Sequence, residues 1–75
     1  MSDKVKEIMA EVLGVPVAQI TDDLAVGDIP QWDSLRHLTM MKRLEAEFDI
    51  KISPEATVEF EDVSDIIAAV EELAG

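Results

Sequence analysis

The sequence predicts an all-α fold: a small four-helix bundle with three main helices, one short helix and a long first loop. Three observations carry this. Apolar residues recur at helical spacing in three separate stretches of the 75 residues. The apolar content, 48% of the chain, is Val, Ile, Leu, Ala and Met with aromatics at 4%, whereas a sheet favours Tyr, Thr, Phe and Trp. Pro16, Pro30 and Pro54 divide the sequence between the periodic stretches. Seventy-five residues leave no room for a second folding unit, so the expectation is one domain over 1–75. A core of this size rarely supplies more than about 3–5 kcal/mol of net stability. The bundle is expected to be soft.

The first helix is expected over about 3–13, where Val5, Ile8, Met9, Val12 and Leu13 share one face and Asp3, Lys4, Lys6, Glu7 and Glu11 lie on the other. Gly14 supplies the stop and Pro16 prevents resumption. Residues 15–32 lack sustained periodicity yet carry Val17, Ile20, Leu24, Val26 and Ile29. That is long for a structureless loop, so these aliphatics are expected to pack across the bundle, with one short helical turn. Asp33 is a good N-cap for a second helix running to about Phe48, with Leu35, Leu38, Met41, Leu44 and Phe48 as its apolar stripe. A short helix over about 55–60 would turn Val58 and Phe60 inward. Asp62 caps the last helix, Asp65 sits in its first turn, and Val63, Ile66, Ile67, Val70 and Leu73 face the core.

Charge and composition exclude several function classes. Seventeen Asp and Glu against six Lys and Arg give a net charge of −11. Nucleic acid is therefore not an expected partner, because binding phosphates requires Lys and Arg to displace counterions. The acidity points to a protein that finds basic patches on protein partners. No run of about 18 apolar residues exists, so membrane insertion is not expected. The chain has no cysteine and opens without the apolar core of a signal peptide, which makes a cytoplasmic location the default expectation.

Few constellations can carry chemistry. Residues 22–33 superficially resemble a calcium loop, but Leu24 and Val26 stand where oxygen ligands are needed. His37 has no cysteine or second histidine beside it, so no metal site is expected, and its plainest reading is a solvated residue in an early helical turn. Asp33, Ser34 and His37 include the residue types of a hydrolase triad, yet Trp32 and Arg36 occupy the glycine positions of a nucleophile elbow. No enclosed pocket with an oxyanion hole is expected, and no residue is assigned as catalytic. Ser34 follows the N-cap, so its hydroxyl should be exposed where free N–H groups and the helix dipole favour an attached anion. Arg36 and His37 in the same turn would reinforce that preference.

The run Asp33-Ser34-Leu35, opening a Leu-rich helix that ends Leu44-Glu45-Ala46-Glu47-Phe48-Asp49-Ile50, resembles the acyl carrier protein family. The resemblance extends through Ile50-Lys51-Ile52-Ser53-Pro54 and the Asp62-Val63 start of the last helix, nearly the whole chain. It implies that Ser34 receives 4′-phosphopantetheine from coenzyme A through a magnesium-using phosphopantetheinyl transferase. The arm's thiol would hold an acyl group as a thioester for acyl-loading and acyl-using enzymes, as in fatty acid or polyketide biosynthesis. Asp33 would cap the helix and present the serine, and Leu35 would be a docking contact or the edge of the core. Met41, Val58, Phe60 and Ile66 would line a shelter for the acyl chain, Met because its side chain adapts; the alternative for all four is simple core.

Two departures from the family matter. Gln31 stands where the common fatty-acid type has glycine, between Pro30 and Trp32. Residues 34–44 hold Arg36, His37, Lys42 and Arg43 and no acid, whereas that type has an acidic second helix. These basic residues, with Trp32 and Met40, are the expected partner-recognition set, and charge complementarity suppresses wrong partners. Their alternatives are charges that balance nearby acids and, for Trp32, a packing lid over the loop. The Trp-Asp-Ser-Leu-Arg-His form resembles specialised stand-alone carriers more than the housekeeping type. An aminoacyl or peptidyl carrier and an unmodified acidic interaction module are the rival readings. A monomer is expected, because the helix stripes are narrow enough for one small core.

Overall fold

The computed structural model describes residues 2–75. Four helices, α1 (Ser2–Leu13), α2 (Ser34–Phe48), α3 (Pro54–Glu59) and α4 (Val63–Ala74), are joined by connections of which the first carries one 3-10 turn (Val17–Gln19). No strand occurs among the described residues; a single bridge pairs Ala25 with Asp62. No helix is long and apolar enough to cross a membrane.

The helix ends follow from local chemistry. Gly14 takes φ +71°, a left-handed position that glycine adopts freely, and its N–H and that of Val15 both reach the Ala10 carbonyl. Asp33 caps α2 by accepting the Arg36 N–H at 2.9 Å. At the other end Asp49 takes φ +53° and its N–H closes on the Glu45 carbonyl. Ser53 caps α3, with Pro54 in the first turn, where its missing N–H costs nothing. Asp62 caps α4, accepting the Asp65 N–H and the Ser64 hydroxyl, both at 2.9 Å. These two bonds, the backbone one foremost, hold the Asp62 carboxyl below its ordinary range.

The core lies where α1, α2 and α4 meet. Val5, Met9 and Leu13 from α1 pack with Met40 and Leu44 from α2 and with Val63, Ile66 and Val70 from α4. The long first connection is tied down by its backbone. Val26 N–H donates to the Glu61 carbonyl, while Val63 and Ser64 N–H reach the carbonyls of Leu24 and Asp22 at 2.9 and 3.0 Å. Its Ile20 and Trp32 enter the core, and Leu24 and Ile29 pack against it.

Inward assignments in the first connection and on three helices need correction: in the connection Val17 and Val26 are exposed, not packed across the bundle. On α2 the buried arc is His37, Met40, Met41 and Leu44, with Phe48 half-buried. Leu35 is 73% exposed and Leu38 is also exposed. A helix turns about 100° per residue, so Leu35 lies nearly opposite His37. On α3 the inward position belongs to Thr57, which leaves Val58 81% exposed, while Phe60 beyond the helix is half-buried against the core. A six-residue helix has barely one inward position, and one residue's offset carries its neighbour out to solvent. On α4 Leu73 is exposed, because it borders an open recess with Ile52, Ser53 and Ala56 that no helix fills.

Candidate functional site

Ser34 is the first residue of α2 and is exposed, and its hydroxyl has no hydrogen-bond partner among the described residues. Asp33 precedes it with extended backbone, φ −106° and ψ −177°, which turns the chain sharply into the helix. The Asp33 carboxylate is occupied by the Arg36 N–H and the Asp33 carbonyl by the His37 N–H. The N–H groups of Ser34 and Leu35 have no acceptor among the described residues, and they leave the helix's positive end open to an anion on Ser34.

An open cleft of ≈ 600 Å³ begins at Ser34. Ala25 and Val26 of the first connection line it, with His37 and Leu38 of α2, Thr57 and Val58 of α3, and Phe60 beyond α3. The volume falls within the range that holds a small ligand, roughly 300–1,000 Å³. The lining is mostly apolar, with Glu61 at its edge. Of the expected shelter residues, Val58 and Phe60 line this cleft, and Met41 lies behind it, bordering a smaller recess with Leu38 and Val58. Ile66 is fully buried in the α1–α2–α4 core and reaches no cleft.

The expected recognition set is divided by the bundle. Trp32 is 1% exposed, His37 8%, and Met40 is fully buried, so none of the three offers a docking surface. Arg36 points its guanidinium at the Leu13 carbonyl, 3.3 Å away, where α1 ends with unpaired acceptors. Arg43 pairs with Glu11 on α1 at 3.2 Å. Arg36 and Lys42 are both exposed without an ion pair among the described residues, and Lys42 makes no side-chain hydrogen bond either. Two cations of α2 are thus directed at α1, and the apolar Leu35 and Leu38 take the exposed positions nearest Ser34.

His37 holds an inward position that periodicity misses. Its Nδ1 lies 3.1 Å from the Trp32 indole nitrogen and its Nε2 lies 2.9 Å from the Thr57 carbonyl oxygen. The two rings stack, with centroids 6.0 Å apart and planes at 29°. His37 lines the same cleft as Ser34, yet both its ring nitrogens are committed, and among the described residues no Ser–His hydrogen bond exists to activate the hydroxyl. One signal was available. Trp32 precedes the N-cap and His37 is the fourth helical residue, the spacing at which a pair staples the chain entering a helix.

Comparison with known proteins agrees with this geometry. A family described by its phosphopantetheine attachment site matches residues 3–70. The chain is also similar to an acyl carrier protein of Solidesulfovibrio magneticus, 33% identical over 75 residues, covering 100% of this chain and 96% of that protein.

Proposed function

Because the chain belongs to the phosphopantetheine-attachment family and is an acyl carrier protein, not an enzyme, we propose that Ser34 is the residue that bears its 4′-phosphopantetheine arm. The observation that carries this is the unengaged, exposed Ser34 hydroxyl at the open end of α2, beside an apolar cleft. When bound, the arm supplies the thiol that a cysteine-free chain lacks and holds the acyl group as a thioester. Asp33 fixes the helix start that presents Ser34, and the unpaired N–H groups of Ser34 and Leu35 stabilise the phosphodiester charge by the helix-end field.

The remaining assignments follow from exposure and charge. Val58 and Phe60, with Leu38 and Val26, shelter part of the acyl chain, and Met41 behind them gives as the chain enters. Each buried methylene is worth about 0.8 kcal/mol, so a six-carbon chain gains at most about 5 kcal/mol, comparable with the stability of so small a core. A partner can extract such a cargo. The family's partners are a phosphopantetheinyl transferase and acyl-handling enzymes. For this chain their contact is the exposed Leu35 and Leu38 with the cations of α2, Lys42 foremost, so enzymes that read an acidic second helix should dock poorly.

Incubation with coenzyme A, magnesium and a broad-specificity transferase, followed by intact-protein mass spectrometry, tests the assignment. The wild type should gain one phosphopantetheine and Ser34→Ala none. An equal gain in Ser34→Ala would refute it.

A further inference from the structure

Among the described residues, one hydrogen bond joins α3 to any other element: His37 Nε2 to the Thr57 carbonyl. Thr57 is also the one buried residue of α3, and its neighbour Val58 lines the cleft with Ser34. The Thr57 carbonyl belongs to the last turn of a six-residue helix, where no later N–H of the helix can reach it. The Glu61 N–H, which would close that turn, goes instead to Asp65 Oδ2. On the other side of the ring, the Trp32 indole is a donor only, so Nδ1 must accept and the ring proton resides on Nε2, aimed at Thr57. Trp32 is itself anchored in the core, and His37 rises from the first full turn of α2. The chain Trp32–His37–Thr57 therefore crosses from the core through α2 to the α3 side of the cleft.

We propose that His37 is a positioning residue: an imidazole held as its Nε2–H tautomer by Trp32, which fixes α3 by donating to the Thr57 carbonyl and so sets the opening of the cleft beside Ser34. The bond supplies what α3 lacks in packing. With the latch made, Val58 and Phe60 line the cleft with Ala25 and Val26; with it broken, α3 is held by its two connections and the packing of Thr57 and Phe60. The consequence for an acyl cargo rests on Ser34 bearing the arm, but the latch itself does not.

Three substitutions separate the parts of the relay. Gln at position 37 reaches about as far as Nε2 and can still donate to Thr57, Asn reaches about as far as Nδ1 and can still accept from Trp32, and Phe fills the space with neither bond. Amide hydrogen exchange on the unmodified full chain reads the outcome at Thr57, Val58 and Glu59. His37→Asn and His37→Phe should speed these amides about tenfold relative to the amides of α1, the worth of one lost hydrogen bond, and His37→Gln should restore them. Wild-type rates in His37→Phe would mean that packing alone holds α3, and equally fast exchange in His37→Gln would mean that the bond to Thr57 does not; either overturns the proposal. Should a variant unfold, ¹⁵N NMR of the wild-type ring decides, with Nε2 protonated expected and the Nδ1–H tautomer contradicting it. A Ser34 that takes no arm leaves all these readouts unmoved, and a failed latch leaves the loading of Ser34 intact.

Discussion

The two sides of α2 are built on different principles. Toward α1 and α4, Met40 and Leu44 disappear into an apolar core shared with Val5, Met9, Leu13, Ile66 and Val70. Toward α3, the contact is one buried threonine, one half-buried phenylalanine and a hydrogen bond from His37. The first side supplies stability through burial, which has no direction and does not yield to a ligand. The second is directional, local and small, and it borders the cleft that opens at Ser34. The difference leaves the cleft bordered by the side of α2 with the fewer buried contacts.

The largest effect should come from breaking the first side. Leu44→Ala should cost about 2–5 kcal/mol, enough to unfold much of the protein, whereas Val58→Ala across the cleft should stay within about 0.5 kcal/mol; denaturant melts of the pair test the contrast. Next comes the relay between the sides. His37→Leu leaves the buried Trp32 indole N–H and the Thr57 carbonyl without partners, at about 1–3 kcal/mol for each group left unsatisfied. The lone tryptophan reports it, since its fluorescence should shift as the ring loses its acceptor.

A smaller effect is expected at the α4 cap. The Asp62 carboxyl is held below its ordinary value when folded, so its stabilising contribution is present above the unfolded carboxyl's range and is lost as pH falls through the folded value. Asp62→Asn should therefore flatten the acid limb of the stability–pH curve and leave the slope near neutrality unchanged. The smallest effect is at Asp49, which holds the left-handed end of α2. Asp49→Gly should raise stability by about 0.5–1 kcal/mol, since glycine adopts that conformation without strain. A loss would show that the aspartate side chain itself matters there.

Much of the frame was legible from single residues. Gly14, Asp33, Asp62 and the prolines mark the helix ends because capping and φ restriction act locally, and the structure ends helices at those points. The direction of the helix faces was less legible. On α2, the stripe through Leu35 and Leu38 and the arc through His37, Met40 and Met41 both satisfy helical spacing, and hydrophobicity alone favours the leucines. The histidine wins the inward position because Trp32 and Thr57 satisfy both its nitrogens, a tertiary fact without a periodic signature. The exposed leucines are then left beside Ser34. The basic residues show the same limit, since sequence counts Arg36 and Arg43 as surface charge while the fold directs them to Leu13 and Glu11.

Ser34 is proposed as the point where the arm joins the chain. The chain contains four serines, Ser2, Ser34, Ser53 and Ser64, and Ser53 and Ser64 are engaged at helix caps. Peptide mapping by tandem mass spectrometry of the transferase-treated wild type distinguishes them directly. The account predicts the phosphopantetheine mass on the peptide spanning Trp32 to Arg36, at Ser34. The same mass on Ser2, Ser53 or Ser64, with Ser34 unmodified, would contradict it.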